Sequence, residues 1–282
     1  MKFLPLCVLS LCLVEVAHAQ DREFETTRLD EGVYQFRYKT HNGFFVVTAD
    51  GVVAFDPIST EAARLYAAEI KRLAPGVPLA AIVYSHDHAD HATGANVLRT
   101  AFSARVPVIA HDNAVSRIAE TADEDLPTPD ITFRDQLTLY FGGRRLELHY
   151  LGRSHSDNMI VALLPKERLA FAVDFVTNDG VGYRELPDYY FPEFFEALAK
   201  LQELDFDSIA FGHGPPGDRA AIARQVNYYS ELRAAVREAV DKGWSEDEAA
   251  QRIRLSAYAG WRQYDSWFPL NVRALYRWMT GR

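Results

Sequence analysis

Short apolar runs bounded by turn residues recur along the first three quarters of the chain, and this pattern predicts β-strands. The runs at 33–38, 44–49 and 52–56 are separated by Asn42-Gly43 and Asp50-Gly51, which are typical of tight turns. Similar runs occur at 79–85, 106–110, 145–150, 159–164, 169–173 and 209–211. We therefore expect a fold rich in short, buried strands.

Helical patterns separate some of these strands and dominate the end of the chain. A helix is predicted from Glu61 to Leu73, with Thr60 as its N-cap and Pro75 as its stop. Other helices are predicted near 96–102, from residue 112, and at 220–242, 247–254 and 271–279. This order predicts a sandwich of two sheets covered by helices on both outer faces. The polar, proline-containing stretch 122–130 is the predicted boundary between its two halves.

The N-terminus has the pattern of an export signal. Lys2 is followed by an apolar run to Val14 and then by Ala17-His18-Ala19, a small-residue cleavage site. Residues 1–19 are therefore the predicted signal peptide of a periplasmic or secreted protein. Because the apolar run is short and Glu15 interrupts it, no membrane span is expected after cleavage. Residues 20–217 are the predicted main domain, and 218–282 a helical extension packed on it.

The positions of the cysteines and the net charge exclude some kinds of metal ligand and partner. Cys7 and Cys12 are the only cysteines and both precede the predicted cleavage site. The mature chain would then have no thiol for a disulfide or for a metal. The net charge of −9, from 30 basic and 39 acidic residues, argues against a nucleic-acid partner.

The strongest chemical signal is the segment His86-Asp87-His88-Ala89-Asp90-His91, directly after the predicted strand 79–85. On an extended backbone, side chains at i and i+2 point the same way, so His86 and His88 can bind one ion together. Asp90 and His91 come where the chain should turn into a helix, and therefore face a neighbouring position. The pattern predicts two adjacent metal ions.

Three further potential ligands follow strands. His155 lies in a loop between two predicted strands, Asp174 closes the run 169–173, and His213 follows 209–211 between two glycines. A carboxylate at the end of a buried strand must be hydrogen-bonded or coordinate something. Each residue alone is compatible with a structural role. Together with the histidine segment they repeat one rule, a ligand at the C-terminal end of a strand, and so predict a shared site.

The pattern HxHxDH, a downstream Gly-x-x-His, an Asp after a strand and a Gly-His pair resembles the metallo-β-lactamase superfamily from Gly32 to Pro216. The resemblance implies an α/β fold, a four-layer αββα sandwich, here with a C-terminal helical extension. It also implies a ligand set: His86, His88 and His155 for a first ion, Asp90, His91 and His213 for a second, and Asp174 as the bridge. Asp56 would orient the histidine loop, unless it is simply an Asp-Pro turn residue.

Two zinc ions are the expected cofactors, with iron or manganese as alternatives at a His/Asp site. Zinc lowers the pKa of bound water to about 7, so a hydroxide between the ions would attack an acyl carbonyl, with the predicted catalytic residue Asp90 orienting it. One branch of β-lactamases has Cys and Lys where this chain has Asp174 and Thr177. Lactonases and glyoxalase II enzymes have Asp there, which favours a small-molecule ester, lactone or thioester. The alternatives are β-lactam hydrolysis, a single-iron sulfur dioxygenase, and a non-catalytic accessory metalloprotein.

Two loops are expected to contact the substrate. The segment 175–191 carries Tyr183, Arg184 and Tyr190, with Arg184 as the predicted anion contact or else a surface residue in an ion pair. His41, near the predicted hairpin tip, is the other candidate contact. The aromatic residues at 261–278 are expected to dock the last helix rather than to form a substrate platform. The oligomeric state stays open.

Overall fold

The first half of the chain forms a seven-stranded sheet. The computed structural model describes residues 23–102 and 105–282, so the predicted signal peptide lies outside the described residues. The strands follow one another in chain order: β1 (Phe24–Asp30), β2 (Val33–Tyr38), β3 (His41–Val47), β4 (Val52–Phe55), β5 (Leu79–Val83), β6 (Val108–His111) and β7 (Ile131–Phe133). Strands β1 to β4 pair antiparallel, whereas β4 to β7 pair parallel.

The second sheet has six strands in the order β13-β12-β11-β10-β9-β8. Their bounds are β8 (Gln136–Phe141), β9 (Arg144–Tyr150), β10 (Ile160–Leu164), β11 (Leu169–Ala172), β12 (Ser208–Phe211) and β13 (Gly217–Asp218). Strands β11 and β12 are parallel, so their C-terminal ends lie at the same edge.

Helices form the outer layers. They are α1 (Thr60–Leu73), α2 (Ala89–Ala92), α3 (Ala95–Phe102), α4 (Ala114–Thr121), α5 (Glu193–Glu203), α6 (Arg219–Asp241), α7 (Glu246–Arg252) and α8 (Tyr264–Thr280), with a 3₁₀ turn at Ser256–Tyr258. Within this described part of the chain, no helix combines the length and the apolar character needed to cross a membrane.

Alternation along β3 shows how the layers stack. Phe44 packs its ring on Phe171 of the second sheet at 5.2 Å, whereas its neighbour Phe45 faces Tyr66 of α1 at 5.7 Å. Successive side chains of a strand point to opposite faces, so one face contacts the second sheet and the other contacts a helix. One buried cluster lies between the sheets and continues into the C-terminal helices; the other lies under α1, α3 and α4. The predicted four-layer αββα sandwich with C-terminal helices is confirmed.

Several local predictions were wrong. The first hairpin turns at Lys39 and Thr40, with Lys39 at φ +52°. Asn42 and Gly43 instead belong to β3 and pair with Arg37 and Phe36. The N-cap of α1 is Ser59, whose hydroxyl accepts a hydrogen bond from the Ala62 backbone, and not Thr60.

The boundary between the halves also differs from the prediction. The stretch 122–130 precedes β7, which pairs with β6 and so still belongs to the first sheet. The chain crosses to the second sheet only between Phe133 and Gln136. Strands β1, β7 and β8 and helix α5 were not predicted. β1 is mostly polar and β7 has three residues, whereas β8 alternates and α5 has apolar residues at helical spacing, so both of these patterns were overlooked.

Candidate metal centre

The site lies where strands of both sheets end. His86 follows β5, Asp174 follows β11 and His213 follows β12. Backbone hydrogen bonds join the two edges, since the Asn42 amide donates to the Gly212 carbonyl at 2.8 Å. Ligands that are far apart in sequence therefore meet at one end of the sandwich.

The first group of potential ligands consists of His86, His88, His155 and Asp174, with one donor atom from each residue within 4.8 Å of all the others. Nδ1 of His88 is 3.1 Å from Nε2 of His155. Nε2 of His86 and Nε2 of His155 lie 3.3 Å and 3.5 Å from the Oδ2 atom of Asp174. Three imidazoles and one carboxylate thus surround a common point.

The second group contains Asp90, His91 and His213, and the structure adds His41 to them within the same 4.8 Å limit. Asp174 touches this group too, because its Oδ2 is 3.3 Å from His91 Nε2 and its Oδ1 is 3.0 Å from His213 Nε2. The carboxylate of Asp174 therefore lies between the two groups.

Unpaired buried atoms indicate what these groups hold. Nε2 of His86, Nε2 of His91 and Oδ1 of Asp174 are buried and lie within 3.0 to 3.3 Å of a charged or polar atom of the site, but within the described residues none of them makes a hydrogen bond of acceptable geometry. Buried polar atoms without hydrogen bonds cost free energy that a cation would recover. In two of the histidines the other nitrogen has a partner, since His86 Nδ1 is 2.9 Å from the Ser85 hydroxyl and His213 Nδ1 donates to the Thr40 carbonyl at 2.8 Å. Nδ1 of His91 and Nδ1 of His155 make no hydrogen bond to the described residues. This division fits histidines that ligate metal through one nitrogen and are oriented through the other.

The electrostatics of the site agree with a pair of divalent ions. Burial lowers the pKa of His155 to about 3, against the opposing charge of Asp174, so its ring is neutral at pH 7 and has a free lone pair. Burial alone would raise the pKa of Asp174, but the surrounding histidines His91 and His213 hold it well below the usual range. Burial would lower the pKa of His91, but Asp174 and Asp56 raise it well above the usual value, so this ring carries a proton that a metal ion would displace. Neutral imidazoles and an ionised carboxylate are the forms that bind zinc, and zinc binding releases such protons.

Asp56 links the ligand loop to the sheet. It is fully buried, and its Oδ1 accepts a hydrogen bond from the Ser85 amide at 2.8 Å. Its Oδ2 lies 3.5 Å from Nδ1 of His91. The carboxylate is therefore placed to orient both the start of the histidine segment and one of its rings.

A cleft of about 950 Å³ opens over the two groups. Of the predicted substrate contacts, His41 and Tyr183 line it. Arg184 and Tyr190 do not line it. The Arg184 guanidinium lies over the Tyr183 ring at 5.1 Å from its centroid, and the Tyr190 hydroxyl accepts a hydrogen bond from Arg117. Both side chains are engaged at the surface, outside the cleft wall.

The C-terminal extension supplies part of the wall, which the sequence did not predict. Trp261, Arg262 and Trp267 line the cleft, and the Arg262 guanidinium lies against Gly214, the residue after His213. Arg262 is the one arginine or lysine among the described lining residues, and it donates to the Thr177 hydroxyl at 2.5 Å and the Asn178 carbonyl at 3.1 Å. Burial lowers its pKa. The only signal in the sequence was its place among aromatic residues, which helix docking also explains.

Comparison with known proteins agrees with this geometry. The chain is 30% identical over 166 residues to the 2,4-dinitroanisole O-demethylase subunit alpha of Nocardioides sp. (strain JS1661), covering 58% of this chain and 49% of that protein. It is 25% identical over 155 residues to a hydroxyacylglutathione hydrolase of Francisella tularensis subsp. novicida (strain U112), covering 55% of each. The chain thus spans about half the length of these curated relatives.

A solved metallo-beta-lactamase from Pontibacter korlensis superposes with a TM-score of 0.63 at 23% identity, covering 72% of this chain and 97% of that one. At this identity the likeness establishes the fold. A family model described as the metallo-beta-lactamase superfamily matches residues 38–213, which include every ligand position described above. The chain therefore belongs to the metallo-beta-lactamase superfamily.

Proposed function

We propose that this protein is a hydrolase that uses two divalent ions, zinc in the first instance, to cleave an ester, lactone or thioester. The observation that carries the proposal is the Asp174 carboxylate, whose two oxygens lie 3.0 to 3.5 Å from histidines of both ligand groups. A single carboxylate between two sets of imidazoles is suited to hold two cations side by side.

The bound ions would supply Lewis acidity, lowering the pKa of coordinated water and polarising the carbonyl under attack. The side chains of the protein position the reacting groups. Asp174 fixes the separation of the two ligand groups, and Asp90, whose side chain is 56% exposed, reaches the cleft. Burial would raise the pKa of Asp90, but the hydrogen bond with His41 and the nearby His91 lower it. It therefore stays ionised and can orient an attacking water by accepting a hydrogen bond from it, although so acidic a carboxyl is a weak proton acceptor.

The cleft walls indicate the substrate class. Tyr183, Trp261 and Trp267 offer aromatic surface, and Arg262 offers a cation that no carboxylate among the described residues pairs within 4.0 Å. A mid-sized acyl compound that bears a carboxylate would satisfy both features.

The relatives support hydrolytic chemistry, but their printed names point to different bonds as the one that is cleaved. The printed name of one is hydroxyacylglutathione hydrolase, which favours a thioester. The other is an O-demethylase subunit for dinitroanisole, and the aromatic walls of this cleft make hydrolysis of an activated aryl ether a second candidate. Asp174 and Thr177 at the third strand end weigh against β-lactams.

The test combines elemental analysis of the purified mature chain with a hydrolysis screen of nitrophenyl esters, lactones, thioesters, β-lactams and nitroaryl methyl ethers. Two zinc equivalents with chelator-sensitive turnover of an ester, lactone or thioester is the expected result. One iron equivalent without hydrolysis would replace the proposal by a sulfur dioxygenase, and bound metal without any turnover would replace it by an accessory metalloprotein. Turnover confined to β-lactams or aryl ethers would overturn the substrate class.

We also propose that the chain is exported, because its first 19 residues have the charged, apolar and small-residue order of a signal peptide. N-terminal sequencing of protein secreted from, or released from the periplasm of, an expressing bacterium should begin at Gln20. A product that stays in the cytoplasm and begins at Met1 would contradict this proposal.

A further inference from the structure

The end of the β2–β3 hairpin is fastened to the strand end that carries His213. The Thr40 carbonyl accepts the Nδ1 hydrogen bond of His213 at 2.8 Å. The next side chain but one, Asn42, is fully buried and donates through Nδ2 to the carbonyls of Phe211 and Gly214, both at 2.8 Å. These bonds fix the position of the residue between them, His41, relative to the second ligand group.

His41 occupies the position of a ligand in that group. Its Nε2 is 3.1 Å from Oδ2 of Asp90, and its ring centroid is 4.6 Å from that of His213 and 5.4 Å from that of His91. Donor atoms bound to one zinc ion at about 2.0–2.2 Å, with angles of about 90–110°, lie roughly 3–3.5 Å apart. The distance between His41 and Asp90 therefore suits two ligands that share a cation.

The two nitrogens of His41 divide as they do in His86 and His213. Nδ1 is 3.3 Å from the hydroxyl of Thr40, whereas Nε2 faces Asp90 and the group. Thr40 thus supports two rings at once, His41 through its hydroxyl and His213 through its carbonyl. An outer partner on one nitrogen and a second nitrogen that faces the other donor atoms is the arrangement of a metal-ligating histidine.

We propose that His41 is a protein ligand of the second ion, together with Asp90, His91 and His213. This inference rests on the proposed two-ion site. Because the first group has three histidines and the second would have three histidines and Asp90, with Asp174 shared, the second ion receives one more protein donor than the first.

The test measures metal binding rather than turnover. Metal-free wild type, His41→Ala, His41→Gln and Lys39→Asn would be titrated with Zn²⁺ in competition with a chromophoric chelator, and then loaded with Co²⁺ for visible absorption. Glutamine keeps a hydrogen-bond donor near Asp90 but is a poor zinc ligand, so it separates ligation from positioning of Asp90. Lys39→Asn alters the same turn at an exposed residue whose φ of +52° asparagine tolerates.

For both His41 variants we expect the first equivalent to bind as in wild type and the second to bind at least about 10-fold more weakly, since loss of even an outer partner weakens metal affinity 10–100-fold. The Co²⁺ absorption of the second equivalent should change as well, and Lys39→Asn should match wild type in both measurements.

A His41→Gln protein with wild-type affinity would reduce His41 to a hydrogen-bond donor for Asp90 and overturn the proposal. An equal loss in Lys39→Asn would overturn it too, because the effect would then come from the hairpin. Wild type that binds a single ion would refute both this inference and the two-ion site, which distinguishes that failure from the others.

Discussion

At the scale of single residues, the backbone conformation of the acidic residues matters as much as their charge. Asp174 has φ +53° and Asp56 has φ +47°, and each stands just after a strand, β11 and β4. Aspartate and asparagine are among the few side chains that tolerate this left-handed region. The two positions therefore combine a turn out of the strand with a carboxylate at the metal centre.

Asp174→Asn tests the carboxylate without disturbing that turn. Asparagine keeps the size and accepts the same φ, but it removes the negative charge between the two groups of histidines. We expect elemental analysis to show at most one metal equivalent and kcat/KM for the best substrate to fall by about 100-fold or more. Asp179→Asn is the matched control, because Asp179 has φ +47° in the same loop but lies outside both ligand groups. Two bound ions with wild-type turnover in Asp174→Asn would refute the bridging role.

Asp56→Asn tests whether a residue outside the two ligand groups orients the ligands. The amide keeps an oxygen for the Ser85 backbone but replaces the carboxylate oxygen that faces Nδ1 of His91. We expect 10–100-fold weaker zinc affinity, measured by chelator competition, with the fold unchanged by circular dichroism. Zinc affinity equal to that of wild type would show that Asp56 is only a turn residue.

At the scale of elements, local pattern predicted the strands that carry the ligands but misplaced the hairpin between β2 and β3. Asn42-Gly43 has the sequence of a tight turn, yet tertiary contacts explain both residues. A Cβ atom at Gly43 would lie 2.6 Å from the Asp56 carbonyl, and Asn42 is buried against β12. The proposed role of His41 also depends on tertiary contacts and could not be predicted, because nothing near it in the sequence shows that β12 and the histidine segment lie beside it.

Asn42→Ala should loosen this hairpin. The change removes both hydrogen bonds to the Phe211 and Gly214 carbonyls and leaves the buried carbonyl of Phe211 without its side-chain donor. A lost bond of this kind lowers the free energy of unfolding by about 1–3 kcal/mol, measurable by urea denaturation of the metal-free protein. Gln136→Ala, at an exposed position of β8, should change it by less than about 0.5 kcal/mol. Equal stability of Asn42→Ala and wild type would show that these bonds do not fasten the hairpin.

At the scale of the whole molecule, the extension after β13 completes the cleft. Asn271 of α8 is fully buried, donates to the carbonyls of Gly182 and Arg184, and accepts from the Gly182 amide and the Tyr228 hydroxyl. The loop after Asp174 is thus held by residues nearly 90 positions later in the chain. The family could be predicted from the sequence, and so could the candidate ligand positions, because these follow strands in a fixed order. Arg184 was predicted as the anion contact and Arg262 was not considered, because contacts at such separation leave no local pattern.

The position of Arg262 leads to the last prediction. If this guanidinium binds a substrate carboxylate, Arg262→Ala should lower kcat/KM for a carboxylate-bearing ester by about 10–100-fold, the value of a charged hydrogen bond of about 1.5–3 kcal/mol. A neutral ester with the same leaving group would lose little, because it makes no such contact. Arg184→Ala is the control, since Arg184 lies outside the cleft and contacts the ring of Tyr183. Equal losses on both esters in Arg262→Ala would instead mean that the arginine holds Thr177 and Asn178 in place, and the anionic substrate class would have to be abandoned.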